Sequence, residues 1–213
     1  TLHPTHGFCQ SCWCQILKKA EVDTWQVSAT EAGQGLPFRV KSLFRWNQQT
    51  KSWVRPLVHS LKQGRFADVS KDLAGEFVWQ WSNQNQRSTG ESNATSWPVG
   101  QTGLFVPSPP RRIGQADHAW LWAESLAVLL GAKLAKGVLL RCPTLDSASK
   151  AQHRKDRWQR FNRRFVTQNQ VASEQPIVFC DDVFTTGAKA FAAYEALSRP
   201  KSFEVWCLAR VEK

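Results

Sequence analysis

The spacing of apolar positions changes along this chain. Beyond residue 100, short apolar runs at 103–107, 134–140, 176–180 and 203–209 read as strands, and the stretches 116–131, 150–165 and 187–198 between them read as helices. That alternation predicts an α/β fold, a parallel sheet with helices on both faces. Upstream the order differs. Positions 38–46 and 52–54 read as a hairpin, 55–81 as one or two helices with Gly64 at the turn, and the Ser-, Asn- and Gln-rich stretch 82–100 as an exposed loop. Residues 1–35 form an amino-terminal segment closed by the breaker Gly33-Gln34-Gly35-Leu36-Pro37. The expected division is therefore 1–35 and 36–213, the latter split at about residue 100.

No apolar run is long enough to span a bilayer and no secretory leader is read, so a cytoplasmic globular protein is expected. Cys142, Cys180 and Cys207 stand singly in apolar surroundings, which suits small buried residues better than a disulfide framework.

The chemistry concentrates in residues 177–188, I-V-F-C-D-D-V-F-T-T-G-A. Ile177, Val178 and Phe179 make a strand buried on both faces. Asp181 and Asp182 follow at its carboxyl end, the edge of an open parallel sheet where ligands sit. Two adjacent carboxylates there suit a vicinal diol or a hydrated magnesium ion. Thr185, Thr186, Gly187 and Ala188 then form a turn whose hydroxyls and N–H groups can wrap a phosphate at a helix start. The plainer alternative is an Asp-rich turn and a threonine-capped helix with no ligand.

This segment resembles the 5-phosphoribosyl pyrophosphate (PRPP) motif of type I phosphoribosyltransferases. The resemblance implies that Asp181 and Asp182 contact the ribose hydroxyls and that Thr185, Thr186, Gly187 and Ala188 hold the 5′-phosphate. More of the chain is similar to the ComF competence family. The similar segments are Leu104-Phe105-Val106-Pro107-Ser108-Pro109-Pro110-Arg111-Arg112, Gly114-Gln115-Ala116-Asp117 with the helix after it, Leu139-Leu140-Arg141, and Val205-Trp206-Cys207-Leu208-Ala209-Arg210. The order of these segments carries the resemblance, because only the Asp-Asp-x-x-Thr-Thr-Gly motif is specific alone. The chain has no methionine and runs a residue short of the family pattern near Gly114 and between Gln152 and Asn162.

By that resemblance, the fold is a type I phosphoribosyltransferase-like sheet flanked by helices. A small amino-terminal zinc knuckle precedes it, and a hood over residues 36–100 covers a core over 101–213. Ser108, Arg111 and Arg112 would support the pyrophosphate, and Mg2+ would accompany PRPP. The family's association with natural transformation implies a role in DNA uptake beside competence machinery, and a phosphoribosyltransferase activity remains open. Cys9 and Cys12 have the C-x-x-C spacing of a shared zinc ion, and Cys14 with His6 or His3 would complete four ligands.

Charge adds an alternative. The net charge is +11, and seven basic residues, Lys150, Arg154, Lys155, Arg157, Arg160, Arg163 and Arg164, face one acid, Asp156, in the stretch 150–164. Interleaved with Trp158 and Phe161, this stretch has the make-up of a groove for single-stranded DNA, with Lys150, Arg154, Arg157 and Arg160 on its phosphates. It lies between two expected strands, where type I transferases carry a loop that closes over pyrophosphate. Trp158, Phe161 and Phe165 also fit the buried stripe of a helix. Most of the eleven tryptophans are expected to pack, and of Trp79 and Trp81 one faces outward.

Overall fold

The computed structural model describes residues 9–26, 36–60, 66–87, 103–110, 117–135, 137–141, 165–168 and 175–212. The strands are β1 (Asp23–Gln26), β2 (Arg39–Trp46), β3 (Leu104–Pro107), β4 (Lys133–Leu134), β5 (Leu139–Arg141), β6 (Phe165–Thr167), β7 (Ile177–Phe184) and β8 (Phe203–Val211). The helices are α1 (Gln10–Lys18), α2 (Lys51–Ser60), α3 (Phe66–Arg87), α4 (His118–Leu130) and α5 (Ala188–Ala196).

Six strands form one sheet in the order β1-β2-β8-β7-β3-β4, parallel except for β1. Its central strands are apolar on both sides because both sides are covered. Along β7, Val178 and Cys180 enter a core built with Trp13 of α1, Leu57 of α2, Phe77 of α3 and Trp122 of α4. Ile177 and Phe179 enter a second core against Ala190 and Ala193 of α5. Trp206 of β8 is fully buried in the first core, with ring centroids of Phe77, Trp81 and Phe105 at 5.1, 5.3 and 5.5 Å. The indole N–H of Trp122 donates to the carbonyl oxygen of Trp206 at 3.2 Å, so α4 is pinned to the sheet by a bond as well as by area. Cys180 and Cys207 are buried in this sheet, as their surroundings predict, and burial pushes both thiols up from the ordinary range.

The expected α/β architecture is present, but several elements differ. The hairpin of 38–46 with 52–54 does not form. Positions 52–54 begin α2, where Val54 and Leu57 bury one helical face, and β2 instead pairs with β1 and, across most of the chain, with β8. Residues 23–26, counted with the amino-terminal segment in sequence, thus add the edge strand of the main sheet. The expected strand over 134–140 is two strands. β4 pairs with β3 and β5 pairs with β6, and the chain between them passes through Gly137 at φ 69°, where continuous extension ends. The polar stretch 82–87 continues α3 rather than starting a loop. Phe165 lies on β6, so it is not on the helical stripe with Trp158 and Phe161, and the rest of the helix expected over 150–165 lies outside the described residues. Gly64 and the stretch 88–100 lie outside them too. Of the paired tryptophans, Trp81 is buried and Trp79 is 63% exposed.

No helix among the described residues is long and apolar enough to cross a membrane.

Candidate functional site at the carboxyl edge of the sheet

β7 extends four residues beyond its apolar run, to Phe184, and pairs with β8 through Asp181↔Cys207 and Phe184↔Arg210. Both acids therefore belong to the strand, on its last turn of register before Thr185. Asp181 lies on the α5 side and is 5% exposed. Its Oδ1 accepts from Lys189 Nζ at 2.7 Å and from the Asp182 N–H at 3.0 Å. Burial pushes its carboxyl up to about 6, with the Lys189 ammonium pulling it down and the Asp182 carboxylate pushing it up. Asp182 is half-buried, and its Oδ1 accepts from the Val183 N–H at 2.8 Å.

The turn after β7 is tightly built. Gly187 takes φ 80°, and a Cβ at that position would stand 2.7 Å from Leu36 Cδ1 and 3.1 Å from Phe184 Cζ. Gly187 is also the N-cap of α5, and no side chain caps the helix there. The threonine-capped alternative is thereby not what forms: Thr185 and Thr186 are exposed and half-exposed, and the first N–H groups of α5 receive no side-chain cap. Ala188 is buried at the first position of the helix.

β3 delivers Ser108 to the same edge. Its N–H donates to the Cys180 carbonyl at 2.8 Å and its residue is buried, which sets it beside Asp181 on the neighbouring strand. Arg111 and Arg112 lie outside the described residues. A basic residue does reach this loop from elsewhere. Arg141, at the end of β5, donates from Nε to the Pro109 carbonyl at 3.1 Å, and its guanidinium lies 5.9 Å from the Phe165 ring centroid. From α4, Asp117 caps the helix by accepting from the Trp120 N–H at 2.9 Å. Burial raises its carboxyl, the Trp120 N–H and the adjacent His118 pull it down, and the charge on Asp182 pushes it up, so Asp117 is within electrostatic reach of the pair. Asp117 and Arg141 come to this edge from separate segments and no local motif flags them, whereas Lys189 directly follows Ala188 in the same run. The signal for Lys189 was a cation at a helix start, where the backbone dipole disfavours it.

Away from this edge, Cys9 is the N-cap of α1. Its Sγ accepts from the Cys12 N–H at 3.2 Å, and its thiol donates to the Cys12 Sγ at 2.8 Å. The Cys12 thiol bond lowers the Cys9 thiol and raises that of Cys12. Cys14 lies two helical positions on, about 200° around the axis from Cys12. His6 lies outside the described residues, and no cluster of three metal-binding side chains forms among the described ones. Lys150, Arg154, Arg157 and Arg160 also lie outside them. The two ends of their segment are nevertheless adjacent, since Arg141 of β5 pairs with Phe165 of β6.

No family model matches the chain, and no curated protein matches it. Among solved structures, the chain is similar to adenine phosphoribosyltransferase from Saccharomyces cerevisiae, complexed with D-2,5-dideoxy-2,5-imino-altritol 1,6-bisphosphate and adenine. The identity is 12%, the TM-score 0.37, and the match covers 94% of this chain and 89% of that one. A superposition that loose leaves the site to be judged on its own residues.

Proposed function

We propose that the chain binds a ribose 5-phosphate group, of the kind carried by PRPP, at the carboxyl edge of β7. The observation that carries this reading is the adjacency of two acids to a helix start that a glycine turn shapes and no side chain caps. Thr185, Thr186 and the N–H groups from Gly187 and Ala188 hold the phosphate, and Asp182 with Asp181 receives the ribose hydroxyls. Ser108 stands on the pyrophosphate side, with Arg111 and Arg112 following it in the sequence and Arg141 against Pro109. Mg2+ suits the donor set: it keeps several waters and takes one or two carboxylates with phosphate oxygens.

The reaction such a site serves is displacement of pyrophosphate at C1 of the ribose. A C–N bond to a base or amine forms as the C–O bond to pyrophosphate breaks, and the arginines that follow Ser108 in the sequence would stabilise the departing charge. The resemblance to the ComF family sets this chemistry in DNA uptake, in the cytoplasm.

The test is the melting temperature with PRPP and Mg2+, in the natural chain and in an Asp181→Asn, Asp182→Asn double variant. Ligand at about 100 times its dissociation constant adds roughly 2.7 kcal/mol, or a rise of about 5–10 °C at this size. That rise in the natural chain, absent from the variant, supports the reading; no rise in the natural chain removes it.

A second reading rests on the seven cations of 150–164, whose segment departs from and returns to one antiparallel pair. Single-stranded DNA would bind there with steep salt dependence, lost on changing Arg154, Arg157 and Arg160 to Glu. At the other end of the chain, Cys9 and Cys12 would hold zinc together with Cys14 and His6. A zinc content near one per chain, falling in a Cys9→Ser, Cys12→Ser variant, is the measurement for that site.

A further inference from the structure

We propose that the chain holds a second ligand site, on the side of the sheet opposite α5, which takes a free nucleotide with its base on the indole of Trp53 and its phosphates on Lys18 and Lys19. The site is an open cavity of about 520 Å3 where the end of α1 meets the start of α2, lined by Lys18, Lys19, Ala20, Glu21, Thr50 and Trp53. That volume suits one small organic ligand. The backbone around it is fixed. Ala20 is buried, the Glu21 N–H donates to the Leu43 carbonyl of β2 at 3.0 Å, and the Trp53 N–H donates to the Thr50 carbonyl at 3.1 Å. Trp53 is half-buried and meets Phe44 at right angles, with the ring centroids 5.4 Å apart. The Lys19 ammonium lies over the Trp53 ring, 5.5 Å from its centroid.

Charge and aromaticity together select the ligand. Neither α1 nor α2 contains an acidic residue, Lys18, Lys19, Lys51 and Arg55 are all exposed, and Glu21 is the one acid lining the cavity. An anion is therefore favoured there. Lysines at the end of α1 also offset its dipole, which accounts for their charge but not for an open cavity beside an indole. A nucleobase has a π face to lay on that indole, and a bare phosphate or a carboxylate has none. An exposed cation–ring contact is weak, so Lys19 exchanges the indole for a phosphate and the base takes its place on the ring. Glu21 repels a continuing run of phosphates, which fits the cavity to a single nucleotide rather than a strand.

Calorimetric titration with ADP in EDTA tests this site on the full chain. The variant with both Lys18→Gln and Lys19→Gln, which changes only exposed ends, is expected to bind ADP about tenfold more weakly with little change in melting temperature. Trp53→Leu is expected to lose a similar factor, and Trp53→Phe, which keeps a ring, to stay within about threefold. The Asp181→Asn, Asp182→Asn chain is expected to keep the lysine-dependent binding, which separates this site from the ribose-phosphate edge. No binding of ADP by the natural chain overturns the proposal. Binding that survives the two lysine changes, or that disappears with the two aspartates, places ADP elsewhere and overturns it as well. A short oligothymidylate that binds through Lys18 and Lys19 where ADP does not would overturn the free nucleotide in favour of a single strand.

Discussion

Lys41 and Glu204 lie 163 positions apart in the chain and 2.7 Å apart in the fold, Nζ to Oε2, both almost wholly buried. They stand on β2 and β8, at the amino end of the parallel register. The indole N–H of Trp206 donates to the same Glu204 oxygen at 2.8 Å, and the ammonium lies 5.2 and 5.5 Å from the ring centroids of Trp206 and Trp81. One buried cation is thus surrounded by a carboxylate and two aromatic faces.

This pair gives an asymmetric expectation. Lys41→Met leaves Glu204 charged and unpaired, at a cost of about 3–5 kcal/mol. Adding Glu204→Gln, which still accepts from Trp206, recovers most of that loss. Urea unfolding of the single and double variants measures the difference, and a double variant no more stable than Lys41→Met would mean the charge of Glu204 is not the source of the cost.

Gly187 carries a separate cost. Gly187→Ala meets both a left-handed backbone and the Leu36 contact at 2.7 Å, and is expected to lose about 2–3 kcal/mol, or roughly 4–10 °C in melting temperature. Leu36→Ala in the same chain relieves the contact and not the backbone strain. The double variant therefore melts below Leu36→Ala alone, and equal melting would place the whole cost in the contact.

The pH dependence of stability follows from Asp181. Its folded carboxyl titrates at about 6 against an ordinary 3.8, so folding takes up a proton between those values. Its stabilising contribution is full below about pH 4 and is lost as pH rises through 6, by about 3 kcal/mol at most. Asp181→Asn lacks that titration. The stability of the natural chain relative to this variant should fall between pH 4 and 7, and a difference that stays constant would mean that Asp181 is charged throughout.

The two neighbouring tryptophans of α3 separate burial from composition. Trp81→Ala removes a ring packed on Trp206 and is expected to cost about 3–5 kcal/mol, whereas Trp79→Ala, on the 63% exposed side, stays within about 0.5 kcal/mol. Denaturant midpoints of the two variants check this directly.

The sequence by itself determined the parts whose signal is local. The strand–acid–turn–helix run of 177–188 is complete within twelve residues, and α4 and α5 announce themselves by apolar spacing between strands. Three kinds of feature were decided only by the tertiary structure. β2 finds its partners at Asp23–Gln26 and Phe203–Val211 rather than at the adjacent 52–54, because Val54 and Leu57 bury more as one face of a helix than as a short edge strand. β7 runs on through Asp181 and Asp182 because β8 continues beside it to Val211 and offers backbone partners that polar residues alone would not predict. Asp117 and Arg141 join the site because a helix start and a strand end from separate segments meet at one edge of a parallel sheet. Local propensity is written in neighbouring residues, but the energy of a buried charge depends on what the fold sets beside it.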